Sequence, residues 1–171
     1  MQKTNLSAIE LLIIIVGIPL AILATTWSYS NWNAHTAPYS VLGNGAMNPQ
    51  AIDNILCTYK SPACHTGQAL FDEGWKHDAN PDYALAFFYE GSNFGKVPCI
   101  PSAVCIGFTG TWEASYKAWY DTINSPLYKG SGVVTVPQIV AKIGPPNPDR
   151  YTQAVEEAVK LWTSGNVGLP Q

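Results

Sequence analysis

Charge is the scarcest ingredient of this chain. Asp, Glu, Lys and Arg together make up 12% of its 171 residues, whereas 47% are hydrophobic and 12% aromatic. An ordinary soluble domain carries about 25% charged residues, so this balance excludes both a disordered tail and a heavily solvated cytosolic enzyme. Basic runs are missing as well. The 9 bases stand against 12 acids for a formal charge of −3, and nowhere do Lys and Arg cluster as phosphate neutralisation requires. No nucleic-acid partner is expected. Strand-like patterning is confined to residues 133–136 and is too short to found a sheet. The length leaves room for one modest domain and an appendage, not for two full domains.

What is present begins with an apolar run at residues 8–27 whose only charge is Glu10. At about 1.5 Å per residue, a helix of that length reaches about 30 Å, the hydrocarbon thickness of a bilayer. Residues 1–7 then form a cytoplasmic tip and residues 8–29 a single-pass transmembrane anchor in the lipid bilayer. Lys3 precedes the run, no Lys or Arg follows before Lys60, and Trp27, Tyr29 and Trp32 supply an aromatic belt. The N-terminus is therefore expected in the cytoplasm and the rest of the chain outside the cell membrane. Two other readings compete. One is a cleaved signal peptide, with small residues near 21–24. The other is a pilin-like filament subunit, because Ser7-Ala8-Ile9-Glu10-Leu11-Leu12 places a Glu near the start of an apolar helix; against it, no Gly precedes a cleavage point and Thr36-Ala37-Pro38 interrupts a long stalk. Glu10 either reaches water among the headgroups or contacts a partner subunit, since an intramembrane carboxylate is costly unless paired or protonated. Pro19 kinks such a helix unless neighbours satisfy the freed carbonyl, which also suits a packed assembly.

Residues 30–50 are rich in Asn, Ala, Gly, Ser and Pro without periodicity and read as a linker, with the folded part beginning near Ala51. All four cysteines, Cys57, Cys64, Cys99 and Cys105, lie beyond the anchor. An even number in an oxidising compartment implies disulfides. Of the three possible connectivities, the local pairs Cys57 with Cys64 and Cys99 with Cys105 are preferred, because each closes a short loop containing Pro. Zinc held by four thiolates needs shorter paired spacings than these. Cys64-His65 lacks the close upstream cysteine of a c-type haem site. No metal and no other cofactor is expected.

Five short helices follow. Residues 66–75 contain Ala69, Leu70 and Phe71, with Glu73 and Lys76 outside, which suits a short amphipathic helix. Asn80 caps and Pro81 opens the second helix, which is apolar nearly all round and should be the buried central one, stopping at Gly91. Thr111 caps a third with Trp112, Tyr116, Trp119, Tyr120 and Ile123 on one face, a pattern found in cores more often than in ligand platforms. Thr135-Val136-Pro137 opens a fourth that halts at Gly144, and Asn147-Pro148 a fifth with a stripe of Tyr151, Val155, Ala158 and Trp162, ending near Gly165. The expected fold class is all-α, with a compact helical ectodomain over residues 51–165 and a tail at 166–171.

These residues resemble a known group. Ser61-Pro62, Thr66-Gly67-Gln68-Ala69-Leu70, Tyr83-Ala84-Leu85-Ala86-Phe87-Phe88, Ser92-Asn93-Phe94-Gly95, Gly107-Phe108, Thr111-Trp112-Glu113-Ala114, Ala118-Trp119-Tyr120 and Thr135-Val136-Pro137-Gln138-Ile139 together resemble bacterial lysozyme-like domains of the glucosaminidase (endo-β-N-acetylglucosaminidase-like) family, over about residues 57–163. In that family the central helix ends in Phe-Phe-x-His-Glu-Ser-x-Phe-Gly, and the Glu is similar to the general acid of lysozyme-type cleavage. Here the window reads Phe87-Phe88-Tyr89-Glu90-Gly91-Ser92-Asn93-Phe94-Gly95. An ungapped alignment puts Gly91 in the acid's place and Glu90 in that of the His, a turn of about 100° around the helix. The segment carrying Cys99 and Cys105 is also shortened and stapled. Glycoside cleavage usually needs a second carboxylate or a positioned water, yet Asp72, Glu73, Glu113 and Asp121 sit at positions that read as solvated faces or caps.

The resemblance implies a lysozyme-like ectodomain whose binding residues are Ser92, Asn93 and Phe94, after the acid's place, with Trp112 and Tyr120 of the next helix. The expected function is a non-catalytic, pseudo-hydrolase module that binds glycan or serves a structural role, as an accessory subunit of a membrane or cell-surface assembly. Its protein partners are expected at the transmembrane helix and the aromatic ectodomain surface, and its glycan would be peptidoglycan. The alternative is a tethered peptidoglycan hydrolase with Glu90 as general acid.

Overall fold

Three times the chain sets Asn before Pro, and each time a helix begins. The computed structural model describes residues 39–99, 105–168 and 170. In it α1 (Pro49–Thr58), α3 (Pro81–Ser92) and α6 (Pro148–Thr163) all start this way. Asn48 accepts from Ala51 N at 2.8 Å, Asn80 from Asp82 N at 2.9 Å and Asn147 from Arg150 N at 3.2 Å. Each side chain satisfies a backbone donor that the first turn leaves free, and the following Pro has no N–H to satisfy. Thr111 caps α4 (Trp112–Asn124) through Ala114 N, and Gln138 reaches back to Thr135 N at the start of α5 (Val136–Ile143). Helix α2 (Gly67–Lys76) is capped from outside: Asp53 Oδ1, on α1, accepts from Gly67 N at 3.1 Å. A short 3-10 turn, Lys129–Ser131, joins α4 to α5.

Among the described residues there is no strand, only isolated bridges pairing Ser40 with Thr135 and Leu42 with Ala79. The all-α class expected from the sequence is the one observed. Helix α3 is central: residues 81–88 are all buried, and it packs against α2 and α6, while α1 and α4 pack on α2 and α5 on α6. Leu85, Phe87, Phe88, Tyr116, Tyr120 and Ile123 are fully inaccessible. Each large apolar side chain removed from water in this way contributes about 1.5–3 kcal/mol. Val155, Ala158 and Trp162 form the buried stripe of α6.

Three features differ from the sequence reading. Helix α1 was not anticipated, although Asn48-Pro49 repeats the signal that opens α3 and α6, and Ile52, Ile55 and Leu56 form its buried face. The expected linker is folded from residue 39 onward. Val41 donates to Val134 O and accepts from Asn80 N, Val41, Leu42 and Met47 are buried, and the Asp82 carboxylate accepts from Ala46 N and Met47 N. The apolar residues of this stretch lack periodicity because they plug gaps between helices rather than forming one. Finally, α3 does not stop at Gly91. It continues to Ser92 and turns at Asn93, which takes the left-handed conformation (φ 48°) that Asn tolerates better than most residues.

No helix among the described residues is long and apolar enough to cross a membrane. The anchor expected at residues 8–29, with Glu10 and Pro19, lies outside the described residues.

Candidate functional site

The end of α3 is where the sequence placed its chemistry, and the backbone there is tightly wound. Asn93, Phe94 and Gly95 have φ of 48°, 55° and 79° in succession. Ser92 ties the turn together: its Oγ donates to Phe88 O at 3.0 Å and accepts from Gly95 N at 3.0 Å, with Ile106 O at 3.3 Å. Phe94 is driven inward, its ring 5.2 Å from those of Tyr59 and Tyr89 and 5.7 Å from those of Phe88 and Trp162. Such a cluster of tilted and edge-on rings is favourable beyond its area alone.

The residues of the expected binding set are placed differently from one another. Ser92 and Phe94 are buried parts of the turn, and Tyr120 is buried under α2, its hydroxyl donating to Leu70 O at 3.1 Å and its ring stacked on His77. All three are occupied by the fold itself, because the side chains of a helix end and of a central aromatic face close on each other. Asn93 is exposed. Trp112 is half-exposed: its indole N–H donates to Pro62 O at 3.0 Å and its ring covers Gly95, where a Cβ would stand 2.3 Å from the indole edge. Phe108 lies edge-on to Trp112 at 5.0 Å and is 62% exposed. Phe108 and Trp112 together present an aromatic surface next to the turn.

Glu90 is half-buried at the last turn of α3. Burial raises its carboxyl above the ordinary range, and the Arg150 guanidinium pulls it partly back. Arg150 is the only arginine of the chain. Burial, followed by the charge of Glu90, likewise raises the phenol of Tyr151, whose hydroxyl is buried without a hydrogen-bond partner among the described residues. Glu90 thus lies within electrostatic reach of the first turn of α6. Sequence reasoning missed both neighbours, since they lie some sixty residues away along the chain; only the lone arginine was a signal. Of the other carboxylates considered, Glu73 pairs with Lys76 and Asp121 with Lys117, each at 2.6 Å, and Asp72 accepts from Gln68 at 2.7 Å.

The residue beside Glu90 matters as much. Gly91 is buried, and a Cβ built on it would stand 2.8 Å from both Cβ and Sγ of Cys105. Ordinary carbon contacts lie at about 3.5–4.0 Å. Both expected disulfides are present, Cys57 to Cys64 and Cys99 to Cys105. The second sits against Gly91 on one side and near Gly107 on the other, where a Cβ would be 3.1 Å from Cys99 Sγ. Any side chain at position 91 has to displace that bridge.

Around the first disulfide, the ligand atoms of Cys57, Cys64 and His65 lie within 4.8 Å of one another, the one such group of His, Cys and acid side chains among the described residues. No family model, curated protein or solved structure matches the chain.

Proposed function

We propose that this chain is a membrane-anchored, extracytoplasmic, non-catalytic module on a lysozyme-like glucosaminidase scaffold, a glycan-binding or structural accessory subunit of a cell-surface assembly. The observation that carries the reading is the packing of Cys105 on Gly91. The alignment gives this position to the general acid, and here even one carbon atom would collide with the disulfide. Glu90, one residue earlier, feels the charge of Arg150 and in turn acts on Tyr151, both on α6. The binding role falls to Phe108 and Trp112, since exposed aromatic rings stack on the apolar faces of sugars and exposed apolar patches mark contacts.

A specific observation favours the second reading, a tethered peptidoglycan hydrolase. Burial moves Glu90 in the direction a general acid requires, keeping a carboxyl protonated nearer neutral pH. The two readings share the scaffold and differ in whether Glu90 meets a glycosidic oxygen.

Cosedimentation of the full-length chain in detergent micelles with purified peptidoglycan tests the binding role. Wild-type protein is expected to pellet with the wall polymer and Phe108→Ala to bind roughly tenfold more weakly, a loss of about 1.4 kcal/mol. Phe108 is the informative position because Trp112 also holds the fold over Gly95. Equal binding by both proteins would remove the aromatic surface from the account.

A further inference from the structure

Asp53 and Cys57 stand four residues apart on α1 and so share one face of the helix, while Cys64 and His65 come from the loop that leads into α2. The fold brings the ligand atoms of Cys57, Cys64 and His65 within 4.8 Å of one another at one corner, with the Asp53 carboxylate beside Cys57 and His65. His65 Nδ1 is 4.0 Å from Cys57 Sγ and 3.5 Å from Asp53 Oδ2, and Cys57 Sγ is 3.9 Å from the same carboxylate oxygen. A tetrahedral zinc ion, with Zn–S near 2.3 Å and Zn–N or Zn–O near 2.0–2.2 Å, sets its ligand atoms about 3.3–3.8 Å apart. Three of the distances needed are therefore nearly in place in the disulfide-bonded protein. What prevents binding is covalent: the thiolate, not the disulfide, is the metal ligand.

We propose that reduction of the Cys57–Cys64 disulfide converts this corner into a zinc site with Cys57, Cys64, His65 and Asp53 as ligands. In the opening step a thiolate of a dithiol reductant attacks one sulfur of the bridge and forms a mixed disulfide. Its second thiol then resolves that intermediate. The reductant leaves as a cyclic disulfide, and two electrons and two protons remain on Cys57 and Cys64 as thiols. Zinc displaces those two protons as both sulfurs coordinate. Two thiolates, one carboxylate and a neutral imidazole surround the ion, a mixed sulfur, nitrogen and oxygen set suited to zinc.

The surroundings provide access. A groove of about 320 Å³ lined by Asn48, Pro49, Gln50, Asp53, His65 and Gln68 opens beside the cluster, with no Lys or Arg among its described lining residues. The His65 side chain is 86% exposed, so its ring can rotate onto an ion without unpacking the core. Asp53 keeps one oxygen for Gly67 N, the cap of α2, and leaves Oδ2 for the metal. A carboxylate held by a backbone donor is an oriented ligand. Disulfide and metal are thus alternative staples for the same α1–α2 corner, the first under oxidising conditions and the second when thiols are free. Among the described residues the Cys99–Cys105 pair has no such companions: it rests on Gly91 and near Gly107.

The test uses the full-length chain in detergent micelles, reduced with a phosphine under anaerobic conditions and titrated with cobalt(II) as the spectroscopic probe. Reduced protein is expected to bind one cobalt ion with the thiolate charge-transfer and visible absorption of tetrahedral coordination, and zinc should displace it. The oxidised protein should show neither band. Cys57→Ser/Cys64→Ser should abolish the signal. His65→Asn and Asp53→Asn should weaken zinc binding by roughly tenfold or more, since even outer-shell changes at metal sites cost that much. Asn at 53 still caps α2, and Asn at 65 tolerates the left-handed backbone (φ 74°). Bands that survive Cys57→Ser/Cys64→Ser, or reduced wild type without a thiolate band, would overturn the proposal. So would unchanged affinity in both single variants. Far-UV circular dichroism covers the case in which reduction unfolds the chain: cobalt should then restore the helices, and failure to do so counts against the site.

Discussion

The two disulfide corners are built from similar sequence and serve different ends. Each closes a short loop, with separations of 7 and 6 residues. The Cys57–Cys64 bridge borders an open, polar groove with an imidazole and a carboxylate close to its sulfur. The Cys99–Cys105 bridge instead lies against two glycines, occupying the room a side chain at Gly91 would need. Loop length alone therefore says little about what a disulfide does. The residues that meet its sulfurs decide whether it fills space or borders a ligand site.

A side chain forced under the second bridge should separate the two corners most strongly. Gly91→Glu restores the aligned acid, and it should destabilise the protein by about 3 kcal/mol or more, the upper range for overpacking a filled site. Chemical denaturation with intact disulfides reads this; a loss under about 0.5 kcal/mol would mean that the corner yields easily. Cys57→Ser/Cys64→Ser should cost about 2 kcal/mol, the chain-entropy value for so short a loop, with no added packing penalty. A loss as large as that of Gly91→Glu would make the two corners equivalent.

A smaller effect concerns pH. Burial raises the folded-state value of Glu90 above its unfolded one, so the ionised form is disfavoured in the native state. Its contribution to stability is fully present below the unfolded value and is lost as pH rises through the folded one. Wild-type protein should therefore lose stability relative to Glu90→Gln as pH rises above 4.5, the unfolded value. Parallel stability curves for the two would show that Glu90 is solvated. The least effect belongs to the open corner: His65→Asn in the oxidised protein should stay within about 0.5 kcal/mol of wild type, as surface changes usually do.

Much of the helical scaffold was legible because capping is local. Asn80-Pro81, Thr111, Thr135 and Asn147-Pro148 mark true helix starts, and the local cysteine pairing follows from loop length. The start of α1 carried the same Asn-Pro signal at residues 48–49 and was hidden by the Gly- and Asn-rich stretch before it. Gly91 shows the opposite difficulty. Glycine as a helix stop is a sound local rule, but here glycine lies inside the helix because Cys105, from another segment, leaves no room for a Cβ. The burial of Ser92, Phe94 and Tyr120 was not legible for the same reason: burial is a property of the packed chain, and polar or aromatic residues beside a motif look alike whether they face solvent or core. The approach of Arg150 and Tyr151 to Glu90 is likewise tertiary.

Release of soluble glycan from purified peptidoglycan by the full-length chain in detergent, beside Glu90→Gln, decides whether the ectodomain is catalytic. The account predicts no release by either protein, with both disulfides intact and the helices retained. Release by the wild type that vanishes in Glu90→Gln would contradict it and establish Glu90 as the acid of a working hydrolase.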